Sequence, residues 1–255
     1  MFYSNLELYG KLLKKRCFST FEISSELKFS QKQTENLLYS FKKNKMISSV
    51  RKDLYVANSL ADNLPVAEKF EIASKINENS YISHHSAFEF YGFSNQVFNT
   101  IFVSSEKSFR QFIFDQNLFK CVKTAKNFGI TEIRHIKTTD LERTILDSIK
   151  DFEKIGGLEE LLECLKSISF VQEKKLKDYL MLYKNQFLFQ KTGFLLETLE
   201  KSKELQVQLS QDFFDFCHKN IGNSTRYLQN EILKSELIFN KKWNLCIPKK
   251  LPTLS

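Results

Sequence analysis

Between Ser4 and Ala57 the chain carries an ordered set of local signals that few folds can satisfy. Ser19 is followed three residues later by Glu22, and Ser30 by Gln33. Each pair has the spacing of a capping box, in which the serine hydroxyl accepts from a free amide of the first turn and the Glu or Gln side chain reaches back. Two short helices are therefore expected to open at Ser19 and Ser30. Upstream, Leu6, Tyr9, Leu12 and Leu13 recur at helical spacing within Ser4–Arg16, predicting a first helix. Downstream, Met46 to Val50 and Leu54 to Ala57 are two β-prone runs around the polar turn Arg51-Lys52-Asp53, a hairpin signal.

Three helices followed by a hairpin with a basic tip spell a winged helix-turn-helix, placed at residues 1–62. The third helix is expected to run to about Asn44. Thr34, Leu37, Leu38 and Phe41 mark its inner side, and Gln31, Lys32, Gln33, Asn36, Ser40 and Lys43 its outer side. Amide side chains can pair with adenine and lysine reaches guanine or phosphate, so this face suits a DNA major groove. Arg51 and Lys52, at the hairpin tip, are expected to lie along the phosphate backbone. The charge is distributed accordingly. Residues 1–60 hold 11 Lys/Arg against 5 Asp/Glu, whereas the remainder holds 27 against 25, so most of the net +8 lies in the first quarter.

Gly (7) and Pro (3) are too scarce for a loop-built sandwich, and a helix-rich α+β chain of two domains is expected. The five cysteines have no CxxC spacing, which points to free thiols in a reducing compartment rather than to disulfides or a zinc finger. Neither a leader-like start nor a run of about 18 apolar residues is seen. The expectation is a cytoplasmic protein without membrane contact.

Residues 63–255 form the second expected domain, after a polar link at 58–65 ending in Pro65. Strands are expected at Phe98–Val103, Lys120–Lys126 and Ile130–Ile136. Helices are expected at Ala67–Asn77, from a Ser83 cap to Gly92, after a Thr139–Glu142 capping box, and at Gly157–Ile168, Phe170–Leu182 and Phe187–Leu199. The segment Asn223–Trp243 carries both helix and strand signals. No phosphate loop, dinucleotide fingerprint, nucleophile elbow or HExxH motif occurs. His84 and His85, as helical neighbours, point about 100° apart and do not share a metal readily. Glu163 and Lys166 have the spacing of a surface ion pair. The reading is of a non-enzyme with no cofactor and no metal.

The chain resembles the AbiEi family of abortive-infection, type IV toxin–antitoxin antitoxins. The resemblance rests on the winged helix, YISHHSAFEFYGF at 81–93, IFVSS at 101–105, TTDLERTILDSI at 138–149, Gly156-Gly157-Leu158-Glu159-Glu160, and KTGFLLE at 191–197. It spans nearly the whole chain. It implies an N-terminal domain that binds inverted repeats in its own promoter as double-stranded DNA and represses transcription. It also implies a C-terminal domain that counteracts a nucleotidyltransferase-like toxin without a stable complex. A basic patch expected of some relatives would have to come from clustering, with Lys241, Lys242, Lys249 and Lys250 as candidates. Two other readings stay open: a winged-helix regulator with a ligand- or partner-sensing C-terminal domain, and a winged-helix nuclease of a defence system.

Overall fold

The computed structural model describes residues 5–229 and 234–251. Ser4, the expected start of the first helix, and residues 230–233 of the ambiguous Asn223–Trp243 segment lie outside them. The fold is α+β. The described residues divide into two compact units, drawn across the sequence rather than cut once along it. The first comprises 5–82, 99–126 and 132–138, and the second 83–98, 127–131 and 139–251, less the undescribed 230–233.

The first unit opens with α1 (Asn5–Lys15), β1 (Cys17–Ser19), α2 (Thr20–Leu27), α3 (Gln31–Lys43), β2 (Ile47–Arg51) and β3 (Leu54–Ala57). Both expected capping boxes are present: Ser19 accepts from Glu22 N and Ser30 from Gln33 N, with each N3 side chain returning to its cap. The short strand β1 was not anticipated. It exists because Arg16 (φ 60°) ends α1 and the next three residues pair with β3, which gives a sheet ordered β1-β3-β2. Leu8, Tyr9, Leu12, Phe18, Ile23, Leu38, Phe41 and Ile47 form one core. Leu6, expected on the inner stripe, is 70% exposed, and Leu8 takes its place. At roughly 1.5–3 kcal/mol for each large apolar side chain buried, this core outweighs any single cap.

The 58–65 stretch is a closed turn, with an isolated bridge between Asn58 and Pro65 and Val66 N donating to Ala57 O at 2.9 Å. Next comes α4 (Lys69–Lys75), whose Glu71 and Lys75 form ion pairs with Arg16 and Glu22. Strands β4 (Tyr81–Ile82), β5 (Thr100–Ser105), β6 (Phe112–Phe114), β7 (Asn117–Lys123), β8 (Ile130–Ile133) and β9 (Ile136–Thr139) make a six-stranded mixed sheet ordered β6-β7-β5-β4-β9-β8. Ile130, Thr131 and Thr139 at its margin fall in the second unit. The single strand expected over Ile130–Ile136 is broken, because Arg134 and His135 both adopt positive φ (50° and 66°) and turn the chain between β8 and β9.

The second unit holds α5 (His85–Tyr91), α6 (Leu141–Lys150), α7 (Leu158–Ser167), α8 (Glu173–Tyr183), α9 (Gln186–Lys201) and α10 (Gln211–Lys219), with a short 3-10 turn at Phe152–Ile155. Helix α10, capped by Ser210, was not foreseen. Two caps move by one residue. Asp140, not Thr139, caps α6 by accepting from Arg143 N, since Thr139 is spent as the last residue of β9. His84 (φ 54°, ψ −132°), not Ser83, stands at the N-cap of α5, and Ser83 Oγ lies 2.9 Å from His84 Nδ1. Every residue of α6 from Leu141 to Ile149 is buried, so α6 is the unit's hub. Its Arg143 donates to Asp147 at 3.2 Å and to Phe128 O, and Tyr183 donates to Asp147 at 2.5 Å. A small sheet closes the unit: β10 (Arg226–Tyr227), β11 (Leu237–Asn240) and β12 (Leu245–Pro248), in order β10-β12-β11. The described part of Asn223–Trp243 thus resolves as strand and a 3-10 turn at Lys234–Glu236.

Candidate nucleic-acid interface

Helix α3 presents its outer side as the sequence pattern requires. Thr34, Leu38 and Phe41 are buried, while Gln31, Lys32, Gln33, Asn36 and Lys43 are exposed and Ser40 is half-buried. Lys32, Asn36, Tyr39 and Lys43 follow one another at steps of four, three and four, so they form a single ridge along the helix. Tyr39 is 71% exposed on that ridge and was not among the expected contacts, although the same spacing would have found it. Its ring offers apolar contact to a thymine methyl or a deoxyribose.

The amides are less free than their exposure suggests. Gln33 Oε1 accepts from Ser30 N and from Ser30 Oγ, both at 2.9 Å, so its carbonyl is committed to the cap and its NH2 remains to donate. Gln31 donates to Glu35 at 2.9 Å along the same helix. Among the described residues neither Asn36 nor the ridge lysines are so engaged. Lys32, Lys43 and Lys52 make no ion pair among the described residues, whereas Lys15 and Arg16 are paired with Glu26 and Glu71. A cation without a protein partner loses no contact when it turns to a phosphate, and Lys42 and Lys43 also answer the negative end of the α3 dipole.

The hairpin divides its two expected contacts. Lys52 is exposed at the two-residue tip. Arg51 is not. Its guanidinium carbon lies 5.5 Å from the ring centroids of both Phe109 and Phe112, and its Nη1 is buried. Arg51 is half-buried against the six-stranded sheet. The tip itself is pinned, since Asp53 (φ 62°) accepts at its carbonyl from Thr20 N at 3.1 Å. Beside the ridge, α2, α3 and the hairpin enclose an open groove bordered by Phe21 (77% exposed), Phe29, Tyr39, Lys42 and Tyr55.

Most of the remaining candidates are packed rather than presented. His84 is buried and its imidazole is pushed down to about 4, first by burial, with Asp147 opposing. His85 is stacked on Phe98 at 3.9 Å. Lys166 bridges Glu163 at 2.9 Å and also Glu204, and is held above its usual range by those carboxylates against the cost of burial. Lys242 is tied to Glu197 at 2.5 Å, leaving Lys241, Lys249 and Lys250 exposed. Cys17 and Cys217 are buried thiols raised to about 12 by that burial. Among the described residues no cluster of His, Cys, Asp or Glu is placed to hold a metal ion, and no helix is long and apolar enough to cross a membrane.

No protein-family model matches the chain, and no curated protein matches it. Among solved structures it is similar to the RV2827C protein from Mycobacterium tuberculosis, with 10% identity over 94% of this chain and 89% of that one and a TM-score of 0.63. At that identity the likeness is one of architecture: this chain shares an α+β fold, over nearly its whole length, with the mycobacterial protein.

Proposed function

We propose that the chain is a DNA-binding transcriptional autorepressor and antitoxin of the AbiEi type, acting against a nucleotidyltransferase-like toxin. The observation that carries the DNA-binding half is the outer ridge of α3, Lys32-Asn36-Tyr39-Lys43, free of ion pairs among the described residues and set on a complete α1-β1-α2-α3-β2-β3 winged helix. The ridge enters the major groove, Lys32, Lys43 and Lys52 neutralise phosphates, and Asn36 reads a base edge. The antitoxin half rests on the sequence resemblance, and it is assigned to residues 63–255 as a whole.

The experiment is a pair of measurements on the full chain. Fluorescence anisotropy with a duplex from the upstream promoter should give binding that weakens steeply with salt, through counterion release. Co-expression with the adjacent gene should relieve the growth arrest which that gene causes. The triple variant Lys32→Ala/Lys43→Ala/Lys52→Ala should lose promoter binding and keep the relief. Point variants are preferable to deleting residues 1–60, because Arg16 and Glu22 are ion-paired to α4. Promoter binding that is indifferent to these lysines would remove the repressor reading, and unrelieved arrest would remove the antitoxin reading.

A further inference from the structure

The central strand β12 of the small sheet in the second unit turns one face into the core. Leu245 and Ile247 of β12 are buried with Trp243 and Leu228. On the opposite face the register sets Tyr227 of β10 and Phe239 of β11 on either side of Cys246. Tyr227 is 43% and Phe239 53% exposed, and Cys246 between them is half-buried. Two strand spacings separate the rings, about 10 Å.

The charge around this row differs from that of the rest of the second half. From Lys219 to Lys250 the sequence holds seven Lys/Arg (Lys219, Arg226, Lys234, Lys241, Lys242, Lys249, Lys250) against Glu231 and Glu236. With +2 over residues 61–255, everything else beyond residue 60 is net acidic by three charges. Arg226, Lys241, Lys249 and Lys250 are exposed at or beside the ends of the three strands. Aromatic rings on an open sheet face with lysines around them match the physics of a stacking platform, in which rings hold base faces and cations track the backbone. A duplex keeps its base faces stacked inside, whereas RNA loops and ends expose theirs.

We infer that the face of β10-β12-β11 bearing Tyr227 and Phe239, flanked at the strand ends by Lys241, Lys249 and Lys250, is a binding platform for single-stranded RNA. It is separate from the α3 ridge and does not depend on the promoter-binding reading.

The test is anisotropy of a labelled single-stranded RNA of roughly 12 nucleotides, mixed in sequence, titrated with the full chain. Tyr227→Ala/Phe239→Ala should weaken binding about ten-fold or more, since each stacked base contributes appreciably. Phe239→Tyr, which keeps a ring, should bind as the unaltered chain does. Lys241→Gln/Lys249→Gln/Lys250→Gln should flatten the salt dependence. Lys32→Ala/Lys43→Ala should leave RNA binding unchanged, and promoter duplex should not displace the RNA. Circular dichroism checks that each variant is folded. The proposal is overturned if RNA fails to bind in dilute salt, if the ring-deleted variant binds equally well, if duplex competes for the same site, or if single-stranded DNA of the same sequence binds more tightly.

Discussion

The guanidinium of Arg51 lies over the ring of Phe112, its carbon 5.5 Å from the ring centroid, with Phe109 at the same distance. This joins the last residue of β2 to the edge strand β6 of the six-stranded sheet, so the cation next to the hairpin tip carries a packing contact of its own. Arg51→Ala should therefore lower stability by about 1 kcal/mol, the scale of a partly desolvated cation–π contact. Lys52→Ala should leave stability within about 0.5 kcal/mol and reduce DNA affinity for all sequences alike. Urea titration beside anisotropy separates the two. Equal stability losses would mean that Arg51 is not clamped.

On the α3 ridge the expected division is between position and specificity. Lys32→Ala and Lys43→Ala should each lower affinity on promoter and unrelated duplex to the same degree and reduce the salt slope by about one. Asn36→Ala should cost about 1–3 kcal/mol on the promoter only, as a lost bidentate base contact does. Gln33→Ala should also cost stability, about 0.5–2 kcal/mol, because its carbonyl completes the Ser30 cap. A competition titration against mixed-sequence duplex measures the discrimination.

His84 gives the second unit a pH dependence with a definite sign. Burial holds its folded-state value at about 4, below the 6.5 of an unfolded chain. Between those values the unfolded chain binds a proton that the folded one refuses. The stabilisation is thus complete above pH 6.5 and lost as pH falls towards 4, up to about 3 kcal/mol. His84→Asn should be less stable at pH 7 but show a flatter stability profile from pH 6.5 to 4. A profile parallel to that of the unaltered chain would place the titration elsewhere.

Gly193, midway along α9, has no room for a methyl group, since a Cβ there would run into the six-membered ring of Trp243. That ring is 1% exposed and anchored by its N–H donating to Glu197 at 2.8 Å, so it has little freedom to yield. Gly193→Ala should cost about 1–3 kcal/mol by overpacking, despite the better helix propensity of alanine. Trp243→Leu in the same chain should be less than additive with it. A thermal melt showing Gly193→Ala to be neutral would mean that the α9–Trp243 packing is looser than described.

The legible parts of the site were those set by neighbours in the chain. Ser19 with Glu22 and Ser30 with Gln33 fix where α2 and α3 start, and the spacing of Thr34, Leu38 and Phe41 fixes which way α3 faces. Tyr39 was equally legible from its step to Asn36 and Lys43. Arg51 was not. Its sequence neighbours make it the shoulder of a basic turn, and only the arrival of Phe109 and Phe112, about sixty residues later, turns it inward.

The sequence by itself determined the helix starts, the hairpin, the outer face of α3 and the concentration of positive charge in residues 1–60. These follow from capping geometry, side-chain periodicity and composition, which act over a few residues. Tertiary structure decided which strands share a sheet. It set two-residue β4 beside β5 and β9, made β1 from Cys17-Phe18-Ser19, and ran β10 parallel to β12. A strand's hydrogen-bonding partner is supplied by distant chain, so a run as short as Tyr81–Ile82 carries no signal of its own until β5 and β9 flank it.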